Sequence, residues 1–281
     1  MKIINTIQEM QAFSSFQRKK GESLGFVPTM GALHKGHLEL VKKAVKENGV
    51  VVCSIFVNPI QFNNSDDLKK YPRTFEKDSA LLKDQGCDVI FYPSVEEMYP
   101  GPVAKSYNFG NLEKVMEGKY RPGHFNGVAV VVKKLFDIVM PHSSYFGEKD
   151  FQQLAIIKAL VKMENMDVEI VPCPIIREDD GLAMSSRNER LSQEQRNHAP
   201  RIYETLVKAR NMFPVYSISD VKRMVVAAIE NEPFMELEYF EISDTETLEP
   251  VSENIPGKPV IGCIAVHMGD VRLIDNMVFN L

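Results

Sequence analysis

Short apolar runs alternate with stretches of helical spacing along the first two thirds of the chain. The run 24–27 is apolar and stopped by Pro28; after it Leu38, Leu40, Val41, Ala44 and Val45 recur at the three-to-four spacing of one helix face. An apolar run at 50–57, an amphipathic stretch at 73–85 and a second run at 88–92 repeat the pattern. Each run is short enough to be a strand covered on both faces. The order β-α-β-α-β predicts a parallel sheet with right-handed crossovers. Helical spacing returns at 127–139 and 150–163, separated by an apolar turn leading to Phe146, and 168–176 reads as another strand. Beyond it, helical patterns at 193–212 and 219–229 precede strand-like runs at 237–242, 260–266 and 271–274, a segregated α+β order.

The expected fold class is therefore α/β: a Rossmann-like parallel-sheet domain over residues 1–176, followed by a smaller C-terminal α+β domain over 177–281. A chain of 281 residues with 44% hydrophobic content can bury a large core, so disorder is not expected. The net charge of −5 gives no support for nucleic-acid or anionic-membrane binding. The charge is uneven: residues 1–176 carry 22 Lys and Arg against 20 Asp and Glu, and residues 177–281 carry 11 against 18. Cys53, Cys87, Cys173 and Cys263 lie far apart without ligand-like pairing, which argues against a disulfide framework and a zinc site and for reduced thiols in the cytoplasm. The N-terminal stretch lacks the apolar core and cleavage site of a secretory signal, and no segment has the length of a membrane span. A glycosylation sequon at Asn63-Asn64-Ser65 is accordingly read as chance.

The most informative local chemistry lies at the corner between the run 24–27 and the helical pattern after it. There PTMGALHKGH places His34 and His37 three apart around Gly36. Gly31 and Gly36 permit close backbone approach, and the unpaired N–H groups of a first helical turn favour an anion. Two imidazoles could then donate to phosphate oxygens. An ordinary helix-start histidine and a partial metal site are the other readings; metal is the weakest, since no Cys or third His stands at ligand spacing.

Four more segments stand at strand ends or boundaries. Asn58-Pro59-Ile60-Gln61-Phe62 closes the second strand, at the sheet edge where open α/β folds bind ligands, although Gln61 alone reads more readily as a loop residue than as a ligand. Gly147-Glu148-Lys149-Asp150 follows another apolar run; Lys149 could hold phosphate or be a solvated charge, Asp150 could cap the helix, and Gln153 stands three further along the same face. Met184-Ser185-Ser186-Arg187-Asn188 sits at the join of the two regions with hydroxyls and a guanidinium for a polyphosphate, or is a hydrophilic linker. Arg121-Pro122-Gly123-His124 is explained by a loop and helix start, and a substrate contact is the lesser reading. Asp66, Asp67 and Asp78 are candidate outer contacts to Mg²⁺, or simply solvated acids.

The signatures of P-loop transfer, dinucleotide binding, serine hydrolases and zincins are all missing, and a nucleotide site with two histidines suggests adenylyl transfer. Taken together, PTMGALHKGH, SIFVNPIQF, YPRTFEKD, RPGHFNGV, YFGEKDFQQL, REDDGLAMSSRN and RLIDN closely resemble the pantothenate synthetase (pantoate–β-alanine ligase) family of the nucleotidylyltransferase superfamily. The resemblance runs in the family's order over nearly the whole chain. It departs mildly at Asp137, where an Asn is expected, and at Glu189-Arg190-Leu191, where an aromatic is expected before the leucine.

That resemblance implies ATP-dependent joining of (R)-pantoate to β-alanine through a pantoyl-adenylate, with Mg²⁺ accompanying ATP, in a cytoplasmic homodimer. It implies ATP binding by Met30, Gly31, Ala32, Leu33, His34, Lys35, Gly36 and His37, with His34 and His37 at the phosphates. Gly147, Glu148, Lys149 and Asp150 would contact the nucleotide, Lys149 at phosphate and Asp150 towards ribose, with Ile176 at adenine. Met184, Ser185, Ser186 and Arg187 would close over it. His37, His34, Lys149 and Arg187 are the expected catalytic residues; Gln61 and Gln153, with Asn58, are the expected pantoate site. No protein residue is assigned as a metal ligand, and neither nucleic acid nor membrane is expected as a partner. An adenylyltransferase with a phosphate-bearing acceptor, or a nucleotide-binding regulator, would share HxGH; Gln61 and Gln153 favour a hydroxylated carboxylate.

Overall fold

A computed structural model describes residues 1–63, 65–102, 105–253 and 257–279; Asn64 of the sequon lies outside them. Among the described residues nine strands form two sheets. The first holds β1 (Lys2–Ile4), β2 (Leu24–Thr29), β3 (Val50–Ile55), β4 (Val89–Phe91), β5 (Ser143–Gly147) and β6 (Glu169–Cys173). They are parallel throughout, in the order β1-β4-β3-β2-β5-β6. The chain thus winds outward from β2 through β3 to β4, then crosses to β5 on the other side of β2. The order of winding reverses between β2 and β5, and open α/β sheets bind ligands outside the carboxyl ends of strands at such a point.

The second sheet is antiparallel, β7 (Met235–Asp244), β8 (Val260–Met268) and β9 (Val271–Phe279), preceded by helices at Arg201–Met212 and Ile218–Glu230. Ile202, Leu206, Val225 and Ile229 of those helices share a core with Val260, Ile264, Leu273 and Phe279 of the sheet. The chain resolves into two compact units. One comprises the described parts of Met1–Phe109, Arg121–Glu148 and Gln153–Pro174; the other comprises Gly110–Tyr120, Lys149–Gln152 and the described chain from Ile175 onward. The second unit therefore takes in two short segments from the first two thirds of the sequence. Four cysteines are buried and unpaired. Burial pushes the Cys173 thiol up to about 11 and that of Cys87 to about 12, so these thiols carry their protons at neutral pH. No helix among the described residues is long and apolar enough to cross a membrane.

Several sequence expectations need correction. The strand begun at Leu24 does not stop at Pro28 but runs on to Thr29. Pairing of β2 with β5 is confined to Gly25 and Phe26, so beyond Phe26 the missing N–H of Pro28 forfeits nothing on that side. The continuous helical pattern at 193–212 is two helices, Gln193–His198 and Arg201–Met212, because Pro200 cannot donate a backbone bond to continue the first. β1 and the helix Ile7–Lys19 are additional elements; a three-residue strand carries no readable period, and it is fixed by pairing with β4. Asp137 lies on an exposed helix face and pairs with Lys133 one turn away, which explains why an acid is tolerated there.

Candidate active site

The carboxyl ends of β2, β3 and β5 carry three of the segments singled out in the sequence, those at 28–37, 58–62 and 147–150. β2 ends in Thr29, whose hydroxyl donates to the Ser54 carbonyl at 2.7 Å and accepts the Gly31 N–H at 3.2 Å. The chain then turns through Gly31 at φ 80° and Ala32 at φ 50°, both left-handed. That conformation costs a non-glycine residue on the order of 1 kcal/mol, so Ala32 needs an outside tether. Asp78 supplies it: its Oδ2 accepts the Ala32 N–H at 2.9 Å and its Oδ1 the Leu33 N–H at 2.8 Å, while Thr74 donates its hydroxyl at 3.1 Å. Asp78 is 0% exposed. The expected surface acid near Mg²⁺ is instead a buried anchor, since its carboxylate oxygens are occupied by the loop.

The anchored loop leads into the helix Lys35–Glu47, with His34 as its N-cap. The His34 Nδ1 accepts the Gly36 N–H at 3.1 Å, and the His34 N–H in turn donates to Nδ1 of His37 at 3.4 Å. An imidazole nitrogen that accepts a backbone N–H carries no proton of its own. In the neutral state each ring is therefore protonated at Nε2, a donor directed away from the backbone it caps. The ring centroids lie 4.1 Å apart. Two N–H donors and the first turn of a 13-residue helix thus share one corner of the sheet. Met30, His34, Gly36 and His37 are partly accessible, Gly31, Ala32 and Leu33 are buried, and Lys35 is exposed.

At the end of β3 the turn Pro59–Gln61 presents Gln61. Its Oε1 accepts from Asn58 Nδ2 at 3.0 Å, which leaves its own amide hydrogens outward, one of them on the Met30 sulfur at 3.1 Å. A thioether is a weak acceptor that a ligand oxygen can replace. Asn58 departs from its expected role as a ligand contact. It is 1% exposed, and its amide also donates to the Gly127 carbonyl at 3.2 Å and accepts the Tyr99 hydroxyl at 2.9 Å. It orients Gln61. His124 does the same for the backbone: its Nδ1 donates to the Gln61 carbonyl at 2.8 Å, and the helix His124–Val139 starts at this residue. Gly127 is required by close approach, since a Cβ there would lie 2.5 Å from the Ile60 carbonyl oxygen and 2.7 Å from Gln61 Cα.

β5 ends at Gly147, followed by Glu148 in the first unit, where Gln153 also lies on the helix Phe151–Met163. Lys149, Asp150, Ile176, Met184, Ser185, Ser186 and Arg187 belong to the second unit. Within that unit the Met184 N–H bonds the Ile176 carbonyl at 2.9 Å, closing a hairpin over 176–184. Ser185 then caps the short turn Ser186–Arg190 by accepting the Arg187 N–H at 3.2 Å. Lys149 is mostly buried and stands 3.9 Å from the carboxylate of Asp150. The residues that sequence reasoning misses are Asp78 as an anchor, Tyr99, Gln152 and the pair Asp275 and Asn276. Asp78 carries one legible signal: it stands three after Phe75 and four before Leu82, on the apolar face of its helix, an unusual place for a solvated charge.

Comparison with known proteins bears on this geometry over its full length. The family model for pantoate-beta-alanine ligase matches residues 2–278. The pantothenate synthetase of Bacteroides thetaiotaomicron is 53% identical over 280 residues, covering 100% of this chain and 99% of that protein. Among solved structures, pantothenate synthetase from Thermus thermophilus superposes with a TM-score of 0.92 at 42% identity, covering 100% of both chains. Pantoate-beta-alanine ligase from Francisella tularensis, complexed with beta-gamma ATP and beta-alanine, gives a TM-score of 0.82 at 36% identity over 99% of this chain and 97% of that one. With a family model spanning almost every residue and relatives above half identity end to end, the chain belongs to the pantoate–β-alanine ligase family.

Proposed function

We propose that this protein joins (R)-pantoate to β-alanine, using ATP and releasing AMP and pyrophosphate, by way of a pantoyl-adenylate. The observation that carries the reading is the His34 and His37 pair, fixed by backbone donors beside the point where the strand order reverses. A carboxylate oxygen of pantoate attacks the α-phosphorus, and the bond to the pyrophosphate oxygen breaks with its electron pair leaving on pyrophosphate. The neutral β-alanine amine then attacks the acyl carbon, the acyl C–O bond breaks with its electron pair leaving on AMP, and the nitrogen gives up one proton to solvent to leave the neutral amide. No covalent enzyme intermediate is needed.

Carboxylate and triphosphate repel each other, so the protein's task is to offset negative charge and align the attack. His34, His37 and the helix-start N–H groups would meet the phosphates, joined by Lys149 and Arg187 with Ser185 and Ser186. Met30, Gly31, Ala32, Leu33, Lys35 and Gly36 would line the nucleotide path, with backbone at Gly147 and Glu148, Asp150 towards ribose, and Ile176 and Met184 towards the base. Gln61 and Gln153 would hold pantoate. Mg²⁺ enters as the counter-ion of ATP and so as part of the substrate. Among the described residues no group of three or more His, Cys, Asp or Glu is arranged to hold a metal ion, and no step here is assigned to one. A homodimer in the cytoplasm, with the 177–281 region as lid over the nucleotide, completes the proposal, and sedimentation at working concentration tests the first element.

The decisive assay follows pyrophosphate from ATP and Mg²⁺ with pantoate alone and then with β-alanine, separating AMP from ADP. Pantoate-dependent pyrophosphate, with AMP and pantothenate accumulating once β-alanine is present, supports the ligase; ADP, or indifference to pantoate, sinks it. Lys149→Ala is expected to lower adenylation about a hundredfold while leaving the thermal midpoint within a few degrees, because a phosphate cation acts on the bound nucleotide and its transition state and little on the fold. Unchanged turnover in a folded variant would remove Lys149 from the site. Gly127→Ala must push the Pro59–Gln61 turn away and is expected to raise the KM for pantoate about tenfold, the magnitude of one lost polar contact, with the KM for ATP little moved. An unaltered pantoate KM would argue that Gln61 does not hold it.

A further inference from the structure

The last described strand does more than close the second sheet. Side chains alternate along β9. Val271, Leu273 and Phe279 enter the core shared with the helix Arg201–Met212, while Arg272 and Asn276 face the two segments that the second unit takes from earlier in the chain, Gly110–Tyr120 and Lys149–Gln152. Asp275 and Asn276 are both buried, at 4% and 5% exposure, adjacent in sequence and on opposite faces. Neither stabilises the sheet in any ordinary way, for two polar side chains in such a place cost free energy unless each is fully bonded.

Each bond leads to a segment proposed above to meet the nucleotide. On one face the Asn276 amide donates to the Lys149 carbonyl at 2.9 Å. The other end of that four-residue segment is tied by Gln152, whose amide donates to the carbonyls of Leu112 at 2.7 Å and Val115 at 2.9 Å and accepts the Glu117 N–H at 3.0 Å. On the opposite face Asp275 holds Arg177 with two bonds, at 2.6 and 3.0 Å. The same guanidinium donates to the Gly181 carbonyl at 3.0 Å and lies 4.3 Å over the Tyr203 ring, so it pins the hairpin that leads to Ser185 and Arg187. Two adjacent residues of one rigid strand thus set the backbone of Lys149 and the base of the 176–184 hairpin.

We propose that Asn276 is a positioning residue for Lys149 and that, with Asp275, it makes β9 the common support of the two nucleotide-binding segments of the second unit. The proposal rests on the reading of Lys149 as a phosphate ligand. A carbonyl at the root of a side chain is an effective control point: its hydrogen bond fixes the peptide plane from which the Lys149 stem projects, and a misplaced ammonium loses more in the transition state than in folding.

A double-mutant cycle on nucleotide affinity tests it, using Asn276→Asp, Lys149→Ala and the pair, with a non-cleavable ATP analogue titrated calorimetrically. Asn276→Asp keeps the shape and removes the donor; Asn276→Ala removes the donor without adding charge and is the second variant should the first fail to fold. Each single change at Asn276 is expected to weaken binding about tenfold, the scale of one charge-adjacent hydrogen bond. In the absence of the Lys149 side chain the same change should cost little, because the losses of coupled residues do not add. Parent-like affinity of the Asn276 variants overturns the proposal, as does a full tenfold further loss on the Lys149→Ala background, which marks a general structural role. Parent-like binding by Lys149→Ala is a different failure: it retires Lys149 from the nucleotide site, and the premise with it, whatever Asn276 does.

Discussion

Asp78→Asn is expected to lower the unfolding free energy by about 2–3 kcal/mol and pantoate-dependent pyrophosphate release by about a hundredfold or more. The buried carboxylate accepts three hydrogen bonds, two from consecutive backbone N–H groups of the HxGH loop and one from Thr74. An amide of the same shape has one accepting end. Its NH₂ would be driven against a buried N–H or hydroxyl, so at least one donor goes unsatisfied in a place water cannot reach. The larger consequence is geometric. Ala32 is left-handed only because its N–H is held, and releasing it lets the loop relax and carries His34 and His37 off the axis their Nδ1 bonds define. Chemical denaturation gives the first number and the pyrophosphate assay the second. A variant that is destabilised as stated but turns over normally would show that the anchor serves folding alone.

His37→Ala is expected to reduce adenylation by about 10²- to 10³-fold, while His37→Gln retains roughly a tenth of the parent rate. The two arms separate a hydrogen-bond donor from a proton donor. The attacking carboxylate has no proton to lose, and the ring's Nδ1 is occupied by the His34 N–H, so what His37 offers is an N–H at Nε2. A glutamine amide can place an N–H near that position but cannot transfer a proton. Should the glutamine variant fall as far as the alanine one, and the parent's rate follow a single basic limb in pH, proton transfer would be the larger contribution and the electrostatic account would be wrong.

The parallel-sheet unit is legible in the sequence because β2 and β3 are short apolar runs ended by a turn residue, and because the helix between them buries one stripe. The second sheet is legible for the same reason, though its strands extend beyond their apolar runs. HxGH can be placed at a strand-to-helix corner since its determinants all lie close together in the chain. The anchoring role of Asp78 cannot be placed, because the N–H groups it serves are 45 and 46 residues away and no neighbour in sequence points to them. Asn58 misleads by the same logic: an amide at a sheet edge looks like a ligand contact until Tyr99 and Gly127, from distant segments, are seen to occupy it. The break at Pro200 is not marked by any change of apolar period, because Gln193–His198 holds no apolar residue and buries none of its side chains. Long-range partners, more than local propensity, account for these misses.

The interleaving of the two units has a consequence for how such a protein can be recombined. A cut near residue 176 looks from the sequence like a clean seam, yet Gly110–Tyr120 and Lys149–Gln152 belong to the unit that lies almost wholly downstream. Arg272 pairs with Glu117 at 2.6 and 2.9 Å as well as with Glu238, and Tyr239 donates to Glu117 at 2.8 Å. A chimera that exchanged only the downstream portion between relatives would inherit half of each pair, and stranding one buried partner costs about 3–5 kcal/mol. The heritable module is therefore discontinuous: residues 110–120 and 149–152 must travel with the C-terminal portion, and shuffling libraries with a single crossover near 176 should yield few folded members unless the parents agree at those positions.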